Sequence, residues 1–201
     1  MRDSGIGRVL VASLHQGISD VLPTRLAFYE NWLNAEGLRG GTIGLGPVKA
    51  VLSFLRQEGD VYDAITARAG QYAAEWTVDT MSSFERSTIT AAPPWLRARL
   101  ILRVARRLVK DCYPSNRATS RVRNRTAHIN LHGSIFCSVR ERAVHPLCGF
   151  YAAMYTRLFA MFNFDGPATV VTCRATGEPA CALTIPLSTV DALASSEANA
   201  S

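Results

Sequence analysis

Three of the chain's five cysteines are the residues best suited to bind a metal ion. Cys173 and Cys181 flank a short turn between two predicted strands, so their side chains can face each other, and Cys148 lies at the start of the helix predicted before that hairpin. Three thiolates that converge in this way would suit a soft metal such as zinc, with one further ligand. The spacing lacks the tight Cys-x-x-Cys pattern, and the alternative is that these cysteines are small buried side chains.

Basic residues form the second group with a chemical use. Twenty of the 22 basic residues are arginine, and ten of the 22 lie between Arg97 and Arg125, where Asp111 is the only acidic residue. That stretch carries +9, and the remainder carries −3 because the whole chain carries +6. One arginine cluster on an otherwise slightly acidic chain favours a localised acidic partner, such as the carboxylates of a ligand, over nucleic acid. The lack of aromatic residues interleaved with the arginines also argues against a single-stranded nucleic acid, and an anionic membrane surface is an alternative partner. A solvated helix face is the alternative.

Aromatic side chains in the predicted helices are candidates to line an apolar cavity between helices and sheet. For any single one of them, packing in the core is the alternative. Together with three arginines they make up the predicted ligand-binding set, which is Tyr72, Trp76, Arg103, Arg106, Arg107, Phe150, Tyr151, Met154 and Tyr155.

No catalytic residue is predicted. The four histidines are scattered, and nothing in the spacing pairs one of them with a nucleophile. The glycine-rich stretch 40–46 matches neither G-x-G-x-x-G nor G-x-x-x-x-G-K-[ST], so we interpret it as a connection between helices and not as a cofactor loop.

The elements that must position these residues change character half-way along the chain. In the first half, apolar residues recur at helical spacing and proline or glycine marks the ends, which predicts helices over 23–37, 47–59, 60–76 and 93–110. Residues 8–13 are left open between a strand and a helix.

The second half is dominated by strand periodicity. Alternation over 129–139 predicts a strand, and 117–126 predicts a preceding strand or hairpin arm. A helix follows over 146–162, and strands are predicted over 169–173 and 180–185. The predicted helices thus come first, and the predicted strands follow on either side of one further helix. This order of elements predicts an α+β fold with an antiparallel sheet.

Length and composition fit one globular domain. The chain has 201 residues, of which 48% are hydrophobic and 19% charged, so it can bury a core without disulfides. We predict an N-terminal segment over 1–20, a single α+β ligand-binding domain over 21–190 and a flexible tail over 191–201. No apolar run approaches the ~20 residues of a membrane helix. With no signal-peptide core and an odd number of cysteines, a cytoplasmic location is expected.

The C-terminal third carries three segments that occur together in a known family. They are Cys148-Gly149-Phe150-Tyr151, the amphipathic helix that continues through Phe162, and residues 170–183, which contain the pattern Cys-Arg-Ala-x-Gly-x-x-x-Cys. On these residues, about 125–187 of the chain, the sequence resembles the 4-vinyl reductase domain, a module shared by several hydrocarbon-binding proteins.

The resemblance implies a fold and a class of ligand. In the fold that it implies, helices pack on a twisted antiparallel sheet, and the protein often forms a homodimer. This fold is similar to that of the Bet-three-like subunits of the TRAPP tethering complexes, which enclose an apolar tunnel. Members include phenol-sensing regulators and a bacteriochlorophyll biosynthesis protein, and the single-domain length fits the latter better.

We therefore expect a binding or carrier protein for a (bacterio)chlorophyll-pathway tetrapyrrole such as divinyl protochlorophyllide. It would assist reduction of the 8-vinyl group (4-vinyl in older numbering) beside other enzymes of that pathway, with peripheral contact to the photosynthetic membrane left open. A flat apolar ring with acidic propionates suits apolar helices beside arginines. The alternatives are a true vinyl reductase, or a sensor or interaction module that binds small aromatics or lipids.

The resemblance also bears on the metal. In the phenol sensors, zinc is held by three cysteines and a glutamate three residues before the second cysteine. Cys148, Cys173 and Cys181 match the cysteines, whereas Val170 occupies the glutamate position. The resemblance implies zinc with a fourth ligand from elsewhere, for which Glu178 and His145 are candidates, or a site that has lost its metal.

Overall fold

Helices occupy the first half of the chain, as the apolar spacing predicts. The computed structural model describes residues 6–33 and 44–189. Residues 34–43, which include the predicted helix end at Gly37 and most of the glycine-rich connection, and the predicted tail 191–201 lie outside the described residues. The described helices of the first half are α1 (Arg8–Val21), α2 (Leu26–Glu30, after a 3-10 turn over Pro23–Arg25), α3 (Leu45–Gln57), α4 (Asp60–Asp79), α5 (Ser83–Ala91) and α6 (Pro94–Cys112).

Local sequence explains where several of these helices begin. Pro94 takes the first position of α6, where a missing N–H costs nothing. The Ser82 hydroxyl accepts a hydrogen bond from the Glu85 backbone N–H at 3.1 Å, which caps α5. The sequence reading missed α5, although Ser82 and Glu85 have the spacing of a capping box. The open question over residues 8–13 is answered by α1, which buries Leu10, Leu14 and Ile18 among other residues.

Two glycines allow three helices to approach closely. A Cβ on Gly70 of α4 would lie 2.2 Å from the Phe150 carbonyl oxygen of α7 (Gly149–Ala160), and a Cβ on Gly17 of α1 would lie 2.8 Å from the Ile65 carbonyl oxygen of α4. The backbones therefore touch at both crossings. As a result α4 lies between α1 and α7, and α7 is buried in the core.

Four strands form one antiparallel sheet in the order β1–β2–β5–β4. Asn124 and Arg125 both have positive φ (49° and 55°) and make the two-residue turn between β1 and β2, a geometry that matches the strand twist. The strands are β1 (Arg117–Arg123), β2 (Thr126–His132), β4 (Thr169–Thr172) and β5 (Cys181–Pro186), and a separate two-stranded sheet pairs β3 (Phe164–Asp165) with β6 (Ser188–Thr189). The chain thus has the predicted α+β fold, with alternate residues of β2 and β5 buried in the core.

One predicted strand is wrong in extent. Strand β2 ends at His132, and residues 133–148 are irregular instead of continuing as a strand to residue 139. At Gly133 the chain takes φ 80°, and a Cβ there would lie 2.7 Å from the Ser115 carbonyl oxygen, so the alternation breaks at a position that requires glycine. The helix expected from Pro146 begins at Gly149.

Candidate metal centre and arginine groove

Four cysteine side chains meet in the core. The Cys137 sulfur lies 3.1 Å from that of Cys148, 3.4 Å from that of Cys173 and 3.5 Å from that of Cys181, and Cys148 and Cys173 are 3.5 Å apart. All four sulfurs lie within 4.8 Å of one another, and all four residues are buried. We call this set the cysteine cluster.

Three elements, α7, β4 and β5, position three of the four sulfurs. Cys148 caps the N-terminus of α7, where its carbonyl accepts a hydrogen bond from the Tyr151 N–H at 3.0 Å. Cys173 follows β4 and Cys181 opens β5. The turn between them closes through Gly177 in the left-handed conformation (φ 96°), which needs no side chain there.

The fourth sulfur belongs to the irregular segment 133–148. The Phe136 ring stacks on that of Phe150 in α7, with centroids 4.8 Å apart and planes 19° apart. The neighbouring Cys137 is held by a turn in which its N–H donates to the Ser134 carbonyl at 3.3 Å. Burial of Phe136 thus carries Cys137 into the cysteine cluster.

The sequence predicts Cys137 within the strand over 129–139 and not as a metal ligand. The structure brings neither of the two candidate fourth ligands, His145 and Glu178, to the cluster. His145 is exposed, with its Nε2 3.6 Å from an Asp63 carboxylate oxygen, and Glu178 is exposed on the turn between β4 and β5. Val170, at the glutamate position of the resembling family, is half-buried against the core. One feature of the sequence indicates that the strand ends earlier: Phe136 interrupts the alternation of apolar and polar residues directly before Cys137.

The cluster fits a zinc ion in donor type, number and enclosure. Zinc with four thiolates has Zn–S distances of about 2.3 Å and therefore S–S edges of about 3.8 Å. Four of the six S–S separations, at 3.1–3.5 Å, are a few tenths of an ångström shorter, and all six lie within 4.8 Å, so the sulfurs bracket the tetrahedral distance. The Arg174 backbone N–H also donates to the Cys181 sulfur at 3.3 Å, which helps to stabilise negative charge on it.

The thiols of the cluster do not behave alike. Hydrogen bonds from the Cys137 thiol, and then from those of Cys148 and Cys181, lower the pKa of Cys173. The hydrogen bonds with Cys137, Cys173 and Cys181 raise the pKa of Cys148, and burial raises it further. Hydrogen bonds within the cluster thus favour the thiolate form of Cys173, and the remaining protons must leave if all four sulfurs are to bind a metal.

A second feature is a groove of about 370 Å³ between α6 and β1. It is lined by guanidinium groups from both elements, by apolar side chains and by one hydroxyl, and none of the described carboxylates lines it. Trp95 stands 62% exposed one turn before Arg99, whose guanidinium carbon lies 5.5 Å from the indole centroid. We call this the arginine groove, and its lining residues are Arg99, Leu102, Arg103, Arg106, Ser120, Arg121 and Val122.

The predicted ligand-binding residues lie on three helices, α4, α6 and α7, and do not form one site. Arg103 and Arg106 line the arginine groove, whereas Arg107 points to Glu85, 3.2 Å away. Tyr72 and Trp76 are half-buried and stack on each other along α4, with the Tyr72 hydroxyl donating to Asp20 of α1 at 2.6 Å. The remaining four, which are fully buried on α7, do not line this groove. They are Phe150, Tyr151, Met154 and Tyr155.

Comparison with known proteins gives one structural likeness to report. The crystal structure of the phenol-responsive sensory domain of the transcription activator PoxR with phenol aligns with 74% of this chain and 79% of its own, at 15% sequence identity and a TM-score of 0.49. No protein-family profile matches the chain, and no curated protein matches it in sequence. Membership of the 4-vinyl reductase family therefore stays a prediction. Among the described helices, none is both long and apolar enough to cross a membrane.

Proposed function

We propose that this chain is a metal-stabilised binding protein for an apolar small molecule that carries acidic groups. The observation that supports the ligand is the arginine groove, in which four guanidinium groups face a cavity that no carboxylate of residues 6–33 or 44–189 lines. Arginine binds carboxylates through two parallel hydrogen bonds, so such a groove selects an anionic group. Its apolar residues and the neighbouring exposed Trp95 favour a flat apolar body next to that group.

The finer proposal is a tetrapyrrole of the (bacterio)chlorophyll pathway, such as divinyl protochlorophyllide. Its acidic group would pair with Arg103 and Arg106, and its ring would lie along Trp95. In this proposal the protein binds or carries the intermediate while its vinyl group is reduced, and does not itself supply the reducing electrons.

Titration with divinyl protochlorophyllide tests the ligand. We expect a saturable shift of the Soret band, and about tenfold weaker binding when Arg103→Gln and Arg106→Gln are combined, because charge-assisted hydrogen bonds are lost. Arg107→Gln is the matched control, since Arg107 lies on the same helix but pairs with Glu85. The absence of a saturable shift, or an equal loss in the control, would contradict the proposal.

Two further readouts separate the alternatives. Turnover of the vinyl group by the purified chain with NADPH alone would support a true reductase. Retained binding of small phenols with no binding of tetrapyrroles would support a sensor module.

For the metal, we propose a structural zinc ion held by Cys137, Cys148, Cys173 and Cys181. Four buried thiolates would leave no open coordination position, which is typical of zinc sites that stabilise a fold and do not catalyse. Elemental analysis of protein purified without a metal-affinity step should find stoichiometric zinc. Protein that is folded and yet free of zinc and other soft metals would overturn this part of the proposal.

A further inference from the structure

A second and larger pocket lies on a different part of the molecule. It measures about 1120 Å³ and is bounded by α3, by the first turn of α4 and by the segment 138–147. It shares no lining residue with the arginine groove. The segment 138–147 is the stretch of chain between Cys137 and Cys148, so both ends of this pocket wall are anchored in the cysteine cluster.

The pocket is strongly basic. Among the described residues, four cationic side chains line it, against one carboxylate, that of Glu141. The cationic residues are Lys49, Arg56, Arg140 and Arg142. Because the walls are concave, their potentials add inside the pocket and favour an anionic occupant.

Two of the residues that line the pocket carry a buried donor without a hydrogen-bond partner among the described residues. The Tyr62 hydroxyl is buried, with Tyr62 only 1% exposed, and it has no hydrogen-bond partner among the described residues. The buried Nε of Arg56 also lacks a partner there, although the same guanidinium is fixed by donation from Nη2 to the Phe136 carbonyl at 3.0 Å. Buried donors without acceptors are costly, so this pair is suited to an acceptor that the pocket admits from solvent.

The nearby carboxylates do not serve these donors. Glu58 on α3 pairs with Arg25 at 2.8 Å and accepts from the Tyr29 hydroxyl at 3.2 Å. Asp63 on α4 faces His145, and Glu141 is exposed at the rim. Within the described part of the chain, no carboxylate accepts a hydrogen bond from the Arg56 Nε–H or from the Tyr62 hydroxyl, and the charge that stands beside the hydroxyl is the Arg56 guanidinium itself.

We propose that this pocket binds a small organic anion, one of whose phosphate or carboxylate oxygens accepts hydrogen bonds from Arg56 Nε and the Tyr62 hydroxyl. Lys49, Arg140 and Arg142 surround the rest of the ligand with positive charge. The volume is of the order of small-molecule sites, which span roughly 300–1,000 Å³, and it far exceeds that of a single inorganic ion. The ligand is accordingly a multiply charged molecule and not a lone oxyanion.

Titration with pyrophosphate and with citrate, followed by the NMR signal of the Arg56 Nε–H, tests this site and separates phosphate from carboxylate ligands. We expect at least one probe to shift that signal saturably, and inorganic phosphate to bind more weakly than the better probe. If neither probe shifts the Arg56 signal, the proposal is wrong.

Three variants sharpen the test. Tyr62→Phe should weaken the better probe by about tenfold, because one hydrogen bond to a charged group is lost. Without ligand it should be no less stable than the wild type, since it removes an unpartnered buried hydroxyl.

Glu141→Gln should strengthen binding by removing the carboxylate that lines the pocket among the described residues. The combined Arg103→Gln and Arg106→Gln variant should bind the probe as the wild type does, which separates this site from the arginine groove. Unchanged affinity in Tyr62→Phe would overturn the assignment of the hydroxyl.

Discussion

At the scale of single residues, the cysteine cluster is under electrostatic constraint. Four buried sulfurs within 4.8 Å of one another cannot all carry charge without a cation, because like charges at that separation repel strongly in the protein interior. One thiolate, at Cys173, is stabilised by the thiols of its neighbours. A divalent soft metal removes the constraint by replacing the thiol protons with a central positive charge.

The first prediction concerns Cys137, the ligand that the sequence reading missed. Cys137→Ser should lose most of the bound zinc, as Cys148→Ser should, because a neutral hydroxyl is a poor replacement for a thiolate. Cys112→Ala is the matched control: Cys112 is also buried, at the end of α6, but it stands outside the cluster. Metal analysis of the purified variants is the measurement. Full zinc occupancy in Cys137→Ser would exclude Cys137 as a ligand.

Asp20 provides a prediction about pH. Hydrogen bonds from Tyr72, then from Arg68 and Gln16, hold the pKa of Asp20 below its ordinary value of 3.8. The folded state of the protein therefore favours the charged form of Asp20. This contribution to the free energy of unfolding is fully present above about pH 4 and is lost as the pH falls through the lowered pKa. Because Asp20 is partly exposed, we expect Asp20→Asn to cost less than about 1 kcal/mol at pH 7. Thermal unfolding should show this difference shrinking in acid, and a constant difference down to pH 2 would contradict it.

At the scale of elements, the sequence predicts best where one periodicity runs uninterrupted. The helices α4 and α6 and the strand β5 lie close to their predicted positions, because their apolar faces bury against the core. Strand β4 also lies where it is predicted, although only Val170 of its residues packs against the core, half-buried. The segment 133–148 was predicted wrongly because its path is set by long-range contacts, such as the stacking of Phe136 on Phe150, which have no local periodicity. The sequence predicts that Cys173 and Cys181 lie close together, because a short hairpin turn separates them. It does not predict the position of Cys137, which depends on the path of this irregular segment.

The crossing of α4 and α7 provides the next prediction. Gly70→Ala should destabilise the protein by about 1–3 kcal/mol, because its Cβ would lie 2.2 Å from the Phe150 carbonyl oxygen and backbone cannot move aside cheaply. Gly149→Ala on the same helix pair is the control, since its Cβ would meet only the Thr66 hydroxyl, at 3.3 Å. Chemical denaturation of both variants measures the difference. Equal stability of the two would mean that the close approach at Gly70 does not constrain the crossing.

At the scale of the whole molecule, the cysteine cluster joins regions that are distant in sequence. It connects the segment 133–148, the start of α7 and the hairpin of β4 and β5. The Ala143 N–H also donates to the Ala175 carbonyl at 2.7 Å, which ties the same segment to the hairpin turn. The helices α1 and α4 pack against each other, and neither of them contributes a cysteine to the cluster. A metal ion would thus act on one half of the molecule and, through residues 138–147, on the wall of the basic pocket.

Metal removal should therefore loosen the molecule unevenly. After chelation, hydrogen exchange should rise in residues 138–147 and in the turn between Cys173 and Cys181, while α1 and α4 keep their protection, because local opening follows the contacts that are lost. Binding of pyrophosphate or citrate to the basic pocket should weaken in parallel, since the pocket wall is anchored at both ends by Cys137 and Cys148.

Adding zinc back should reverse both changes, whereas adding magnesium, which prefers oxygen ligands, should not. Uniform loss of protection along the chain would show instead that the metal supports the whole fold, and unchanged exchange in 138–147 would show that the cluster does not hold the pocket wall.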